Sequence, residues 1–169
     1  MSNASWQISL RTTLSQLSKQ AMPPRVAVVG IGHELGGDDA VGVRVAELLR
    51  AQLSTDYLLS IPAGPAPENF TGNLRRFRPA LVLMVDAAQM NCSAGTVKWL
   101  DWRSTDGFSA STHTLPLNLF ADYLTLELGC EVALIGIQPG QTYADGPLTA
   151  EVERVAQAVV KSLAESLVI

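Results

Sequence analysis

Two kinds of hydrophobic pattern alternate along this chain. Continuous runs of Val, Ile and Leu are typical of strands buried on both faces, as in a parallel sheet. They occupy residues 25–30, 57–61, 80–86 and 132–137. Between these runs, apolar residues recur at helical spacing, which predicts amphipathic helices. The helical faces comprise Val41, Val45, Leu48 and Leu49; Leu117, Phe120, Tyr123 and Leu124; and Val152, Val155, Ala156, Val159 and Leu163.

The order of these segments predicts the fold class. Strand followed by helix, repeated along the chain, implies crossover connections and a sheet covered by helices on both sides. We therefore expect a three-layer α/β sandwich around a twisted, mostly parallel sheet of about five strands. The weakest strand candidate, 96–100, follows a turn-like stretch and is expected to pair as an antiparallel edge strand beside 81–85. Residues 62–67 are rich in Pro and Gly and are expected to be irregular.

A further helix is predicted ahead of the first strand. Trp6, Leu10, Leu14 and Leu17 follow one another at helical spacing, and Pro23-Pro24 ends the element. With 169 residues the chain has the length of one domain with a full hydrophobic core. We expect residues 1–24 to form a helical extension and residues 25–169 a single α/β domain.

The charge of the chain excludes some partners. A formal net charge of −4 argues against a nucleic-acid surface, which needs clustered cations. The one short basic cluster, Arg75, Arg76 and Arg78, falls at a predicted helix end, where cations suit the helix dipole. We expect this cluster to be structural rather than a binding patch.

The remaining composition indicates a cytoplasmic protein. No stretch approaches the roughly 20 apolar residues that span a bilayer, and the start of the chain does not resemble a signal peptide. Cys92 and Cys130 lack paired spacing and are expected to be free thiols that act as buried small apolar residues. We expect no membrane partner.

Three residues carry the candidate chemistry: Asp39, Asp86 and His113. Each lies just beyond a predicted buried strand or in a loop expected to face that edge, where ligands of α/β sheets bind. Two carboxylates and one imidazole make an open metal site suited to nickel, zinc, iron or manganese. His33, in the same loop as Asp39, is a candidate extra ligand. The zinc-protease pattern HExxH is absent.

The segment Gly30-Ile31-Gly32 also allows a nucleotide-binding interpretation. Glycines after a first strand are typical of dinucleotide loops, but the full GxGxxG spacing fails here. The acids that follow, Asp38 and Asp39, place negative charge where a phosphate would need the positive end of a helix. We expect Asp38 mainly to cap the helix and Asp39 to be functional.

Five short motifs in order resemble one known family. They are Gly30-x-Gly32, Asp38-Asp39-x-x-Gly42, Val85-Asp86-Ala87, Thr112-His113, and Gly136-Ile137-Gln138-Pro139. Together they resemble the endopeptidases that mature the large subunit of nickel–iron hydrogenases. Ala66-Pro67-Glu68-Asn69 and Pro116-Leu117-Asn118 resemble the branch that serves hydrogenase 3, the formate-linked enzyme.

The resemblance implies an activity and a partner. The implied reaction is removal of the C-terminal extension from a hydrogenase large-subunit precursor after nickel insertion, by an aspartic-type endopeptidase acting as a monomer. Asp39, Asp86 and His113 match the family's metal-contacting and catalytic positions, and the nickel is supplied by the substrate's metal centre. His33 departs from the family, which usually has Asn there. The alternative is a non-catalytic nickel-sensing or chaperone protein in hydrogenase assembly.

Overall fold

A five-stranded sheet lies at the centre of the computed structural model, which describes residues 4–104, 115–142 and 146–168. The strands are β1 (Val26–Ile31), β2 (Leu58–Gly64), β3 (Leu81–Ala87), β4 (Val97–Leu100) and β5 (Glu131–Ile137). The helices are α1 (Ala4–Ser18), α2 (Val41–Gln52), α3 (Thr71–Phe77), α4 (Leu117–Leu128) and α5 (Ala150–Leu167). Three short 3₁₀ helices complete the described elements: Gly37–Ala40, Pro67–Phe70 and Trp102–Ser104.

The strand order is β2-β1-β3-β5-β4, and all pairs are parallel except β4 with β5. The expected α/β sandwich with a mostly parallel sheet is confirmed. The antiparallel edge strand is also confirmed, but its expected partner is wrong, because β4 pairs with β5 and not with β3. β3 has no free edge, because it pairs with β1 on one side and with β5 on the other. β4 therefore adds to the outer edge of β5.

Alternate residues of each central strand enter different cores. In β1, Val26 and Val28 pack with α1, α2 and α5, whereas Ala27 and Val29 pack with α3 and α4 on the other face. This two-sided burial explains why the central strands are continuously apolar instead of alternating. The helices therefore form one layer on each side of the sheet.

Segment 62–67 is more regular than its composition predicts. β2 continues through Pro62 to Gly64, and a 3₁₀ helix begins at Pro67. Proline is tolerated in β2 because this strand lies at the edge of the sheet and pairs only with β1. The expectation of an irregular segment is therefore wrong for its first half.

The predicted N-terminal helix is present as α1. Its Trp6, Leu10, Leu14 and Leu17 are buried in the same core as α2 and α5. It ends at Ser18, before the proline pair. Within the described part of the chain, no helix is both long enough and apolar enough to cross a bilayer.

Candidate active site

The candidate site lies at the carboxyl ends of β1 and β3. Gly30 of β1 is level with Val85 of β3, so Asp86 and the loop after β1 are at the same edge of the sheet. Asp39 belongs to the 3₁₀ helix that follows this loop, and that helix contacts β3. Asp39 is 5% exposed and Asp86 is 1% exposed. The structure thus brings two of the three predicted residues to one buried edge.

The loop from Gly32 to Asp39 closes on the Asp39 carboxylate. The backbone N–H of His33 donates to Asp39 Oδ2 at 3.0 Å, and the N–H of Asp39 donates to the carbonyl of Gly36 at 3.1 Å. Gly32 has a φ of +145°, and a Cβ there would overlap the carbonyl oxygen of Asp39. Only glycine therefore permits the loop to pass this close to the 3₁₀ helix.

His113 falls outside the described residues, within the range 105–114. Its role as the third ligand stays a prediction. Among residues 4–104, 115–142 and 146–168, no group of three His, Cys, Asp or Glu side chains is arranged to hold a metal ion. Because the predicted set includes His113, this finding does not bear on it.

His33 is exposed at the rim of the same loop. Its Nδ1 accepts a hydrogen bond from the N–H of Leu35 at 3.2 Å, so Nε2 is the nitrogen left to bind another group. The predicted extra ligand thus lies in the Asp39 loop, and its metal role stays a prediction.

Asp38 has a different partner from the one predicted. Its side chain does not cap the helix that follows, since neither the 3₁₀ helix Gly37–Ala40 nor α2 has a side-chain N-cap. It accepts hydrogen bonds from the backbone N–H groups of Gly140, Gln141 and Thr149 at 2.9, 2.8 and 2.7 Å. The Thr149 hydroxyl also donates to it. Asp38 therefore fastens the start of α5 and the segment after β5 to the site.

The nucleotide interpretation has no support in this geometry. The position ahead of α2, where a phosphate would bind, is filled by two buried carboxylates, Asp38 and Asp39. The glycines act in backbone packing: a Cβ on Gly42 would overlap the carbonyl oxygens of Val85 and Ile31. They allow α2 to start directly against β1 and β3.

A groove of about 300 Å³ opens beside the Asp39 loop. Leu35, Ala40, Val43 and Leu148 supply its apolar part. The charged residues of its wall are Glu34, Glu47 and Arg44. Sequence reasoning did not find this groove, since Leu148 comes from a segment about a hundred residues distant in the chain.

Arg44 is already engaged by an acid outside the groove. Its Nη2 lies 2.9 Å from Glu153 Oε1, and its Nε donates to Glu153 Oε2 at 3.1 Å. This hydrogen bonding raises the pKa of Arg44 and lowers the pKa of Glu153. Arg44 Nη1 also lies 4.0 Å from Glu47 Oε2, so Glu34, Glu47 and Arg44 give the groove wall a formal charge of −1.

The thiols are placed away from this chemistry. Cys130 is 5% exposed, and its burial raises the pKa of the thiol to about 11. Cys92 is half-buried and donates to Gln138 Oε1 at 3.6 Å. The expectation of free thiols is confirmed for both residues; that of full burial is confirmed for Cys130 and wrong for Cys92.

The sequence of this chain matches a known protein family. Residues 43–166 match the family model HycI, hydrogenase maturation protease. The match starts just after Asp39, so it includes Asp86 but not the glycine loop. The hydrogenase 3 maturation protease of Escherichia coli K12 is 32% identical over 134 residues, which make up 79% of this chain and 85% of that protein.

Solved structures show the same likeness in three dimensions. The [NiFe] hydrogenase maturation protease HycI of Thermococcus kodakarensis superposes with a TM-score of 0.82 at 33% identity, covering 94% of this chain and 98% of that one. The hydrogenase maturating endopeptidase HybD of Escherichia coli gives a TM-score of 0.70 at 25% identity, with coverages of 85% and 91%. The fold seen here is thus the fold of these endopeptidases.

Proposed function

We propose a specific function from the premise that this chain belongs to the hydrogenase maturation protease family and is, like its relatives, a peptide-bond hydrolase. The proposed reaction is removal of the C-terminal extension of a nickel–iron hydrogenase large-subunit precursor, after nickel has been inserted. The proposed substrate is therefore a folded precursor that carries its own metal. The proposed location is the cytoplasm, where such precursors would be assembled.

The observation that carries the proposal is the pair of buried acids at one edge of the sheet. Asp39 and Asp86 place two buried carboxylates at neighbouring strand ends. A bound cation would offset the repulsion between them, which water screens poorly at a buried site. Carboxylate oxygens together with one imidazole suit a borderline divalent metal such as nickel. With His113 as the third ligand, this set is incomplete, which fits a metal that stays with the substrate.

The acids can act in two ways within this mechanism. In one, Asp39 and Asp86 hold the substrate's metal centre so that the scissile peptide is positioned beside it. In the other, one of the carboxylates also takes a proton from the attacking water. Both require the carboxylate to be ionised, and both predict that an amide in its place stops cleavage.

The groove beside Asp39 supports a peptide substrate. Its apolar wall of Leu35, Val43 and Leu148 can take the side chains of an extended segment, and the exposed Glu34 favours a basic residue. Leu35 is 61% exposed and is therefore accessible to such a segment. A segment of the precursor that reaches the acids would pass along this wall.

The test is a processing assay on two forms of a hydrogenase large-subunit precursor, one loaded with nickel and one nickel-free. Shortening of the loaded form alone is the expected result. Cleavage of both forms at equal rates would contradict the nickel requirement. Failure to cleave either form, combined with tight nickel binding by the folded protein alone, would favour the alternative function, a nickel-sensing or chaperone protein that uses His33 as an extra ligand.

A further inference from the structure

A second concave surface lies at the opposite edge of the sheet. It is an open cavity of about 540 Å³, lined by Phe77 and four arginines: Arg25, Arg75, Arg76 and Arg78. Arg25 directly precedes β1, and Arg78 lies between α3 and β3. This arginine cavity is therefore at the amino ends of the strands, away from Asp39 and Asp86.

The charge of the arginine cavity is opposite to that of the rest of the chain. It holds 4 of the 12 lysines and arginines, so a chain with a net charge of −4 carries −8 outside the cavity. Among the residues that the structure describes, no acid lines the cavity. In the described ranges, ion pairs involve only Arg44 and Arg103 among the arginines. The four cations thus lie together without a neutralising carboxylate from the described residues.

Stabilisation of a helix end explains only part of this cluster. Arg75 and Arg76 lie in the last turn of α3, as the sequence predicts, and suit the helix dipole. Arg25 is not in a helix, and Arg78 occupies a left-handed position with a φ of +55°, which usually takes Gly or Asn. Helix chemistry therefore gives no reason for arginine at these two positions.

Two of the guanidinium groups are held in place. The Arg25 guanidinium lies 4.4 Å above the centre of the Phe77 ring, and Arg75 Nη2 donates to the Tyr123 hydroxyl at 2.9 Å. Neither contact removes the positive charge. Guanidinium groups held in this way bind an oxyanion at a lower entropic cost than free side chains would.

An apolar surface adjoins the arginine cavity on α4. Leu119, Tyr123 and Leu126 are 51%, 37% and 85% exposed, and their spacing places them on one face of the helix. The hydrogen bond from Arg75 to Tyr123 joins this face to the cavity. A protein segment can contact both the cations and the exposed apolar side chains, whereas a free anion can contact only the cations.

We propose that the arginine cavity and the exposed face of α4 together dock an acidic amphipathic polypeptide segment of another protein. Its carboxylates would pair with the four guanidinium groups, and its apolar side chains would cover Leu119, Tyr123 and Leu126. A nucleic acid or an anionic membrane fits less well, because it would extend beyond the cavity and the rest of the chain has a formal charge of −8. This docking surface is independent of the proposed cleavage reaction.

The probe for this proposal is a short synthetic peptide with Glu on one helical face and Leu on the other. Its affinity is measured at low and high salt, for the full chain and for an Arg75→Glu/Arg76→Glu double variant. Both arginines are exposed, so the variant is expected to fold. We expect salt-sensitive binding that weakens about tenfold or more in the double variant. An Arg11→Glu/Lys161→Glu variant has the same net charge and should stay within about twofold.

Leu126→Ser tests the apolar half and is expected to weaken binding about threefold. Four outcomes would overturn the proposal: no binding to the original chain, equal losses in both double variants, tighter binding of inorganic triphosphate than of the peptide, or self-association of the protein that the Arg75→Glu/Arg76→Glu change abolishes. The last two would identify a phosphate ligand or a second copy of this chain in place of an acidic partner protein.

Discussion

Asp38 and Asp39 are consecutive and both buried, yet their carboxylates serve different parts of the molecule. Asp38 is 0% exposed and accepts its hydrogen bonds from the segment that leads into α5. Asp39 accepts from the His33 N–H of the loop at the sheet edge. One residue of the pair thus stabilises the frame of the site, and the other belongs to the site.

Replacing Asp39 by Asn tests this division. An amide oxygen can still accept the His33 N–H, so the free energy of unfolding should change by less than about 1 kcal/mol. The amide cannot serve as a negative ligand or as a base, so precursor cleavage should fall at least about 100-fold. Initial cleavage rates and urea unfolding measure the two effects. The exposed Asp56→Asn is the matched control, and full-rate cleavage by Asp39→Asn would contradict the site assignment.

Cys130 gives a prediction about pH. Burial raises the pKa of its thiol from 9.0 to about 11, so at pH 8 roughly one thiol in a thousand is ionised. A thiol reagent should therefore modify Cys92 well before Cys130 in the native protein and both in denaturant. Absorbance of the released reagent counts the thiols, and equal native rates would contradict the burial effect.

The same shift links Cys130 to stability. The unfolded thiol ionises from about pH 9, whereas the folded one resists ionisation until about pH 11, so the contribution is complete below pH 9 and is lost as pH rises between these values. The loss is about 3 kcal/mol. Cys130→Ala should remove this part of the pH dependence of unfolding.

Between elements, Asp38 joins the 3₁₀ helix Gly37–Ala40 to α5. Asp38→Ala leaves the N–H groups of Gly140, Gln141 and Thr149 without their acceptor, and should lower the free energy of unfolding by about 3–5 kcal/mol. Asp38→Asn keeps one acceptor oxygen and should lose less. Urea unfolding measures both against Asp56→Ala, which should be near neutral. Amide exchange at Gly140 should accelerate in Asp38→Ala; unchanged exchange there would show that other contacts hold the segment.

The contact of α2 with the sheet depends on Gly42. A Cβ at this position would overlap two backbone carbonyl oxygens, of Val85 and Ile31, which cannot rotate away as a side chain can. Gly42→Ala should therefore lower stability by about 2 kcal/mol or more, although alanine favours a helix. Gly72→Ala in α3 meets only the flexible end of Arg76 at 3.6 Å and should be neutral or slightly stabilising. Similar unfolding midpoints for the two variants would contradict this steric argument.

At the scale of helices and strands, the sequence predicts each element but not the elements that it contacts. Runs of Val, Ile and Leu identify β1, β3 and β5, and turn residues identify β4 as an edge strand. The prediction that β4 pairs with β3 is wrong because strand order depends on which sheet edge the other strands leave free. No residue of 96–100 carries that information. The partners of Asp38 were missed for a similar reason, since they lie more than a hundred residues later.

The candidate site was more predictable than its surroundings. Asp86 lies at the end of β3 and Asp39 comes shortly after β1, and the carboxyl ends of parallel strands meet at one edge. The structure confirms that both acids are at this edge and buried. The metal-binding role of these acids and of His113 stays a prediction, because it is inferred from the types of donor atom and the packing does not test it.

Across the whole molecule, the two edges of the sheet carry opposite charges. Asp39 and Asp86 lie at the carboxyl edge, and the arginine cavity lies at the amino edge. A partner that contacted both edges would be oriented by these opposite charges before it bound. Charge complementarity mainly affects the rate of encounter and the alignment of the two proteins. The fold separates the two surfaces by the length of its strands.

The boundary predicted at Arg25 also belongs to this scale. Although α1 precedes the α/β domain in sequence, its Trp6 and Leu10 are 2% and 0% exposed in the core shared with α5. The superposition on HycI of Thermococcus kodakarensis covers 94% of this chain, whereas residues 25–169 are about 86% of it (145 of 169). That alignment therefore includes part of the segment before β1.

Removal of residues 1–24 tests whether the domain is independent of α1. Four large apolar side chains would leave the core: Trp6, Leu10, Leu14 and Leu17. At about 1.5–3 kcal/mol each, their loss approaches the whole stability of a typical domain. We expect the shortened chain to unfold at much lower urea concentration or to aggregate. Within the full chain, Leu10→Ala should cost about 2–5 kcal/mol, whereas Ile8→Ala, at a residue 63% exposed, should change stability by less than about 0.5 kcal/mol. If the shortened chain unfolded at the same urea concentration as the full one, α1 would be an appendage; if it unfolded much earlier, the folding unit would begin at α1 and not at Arg25.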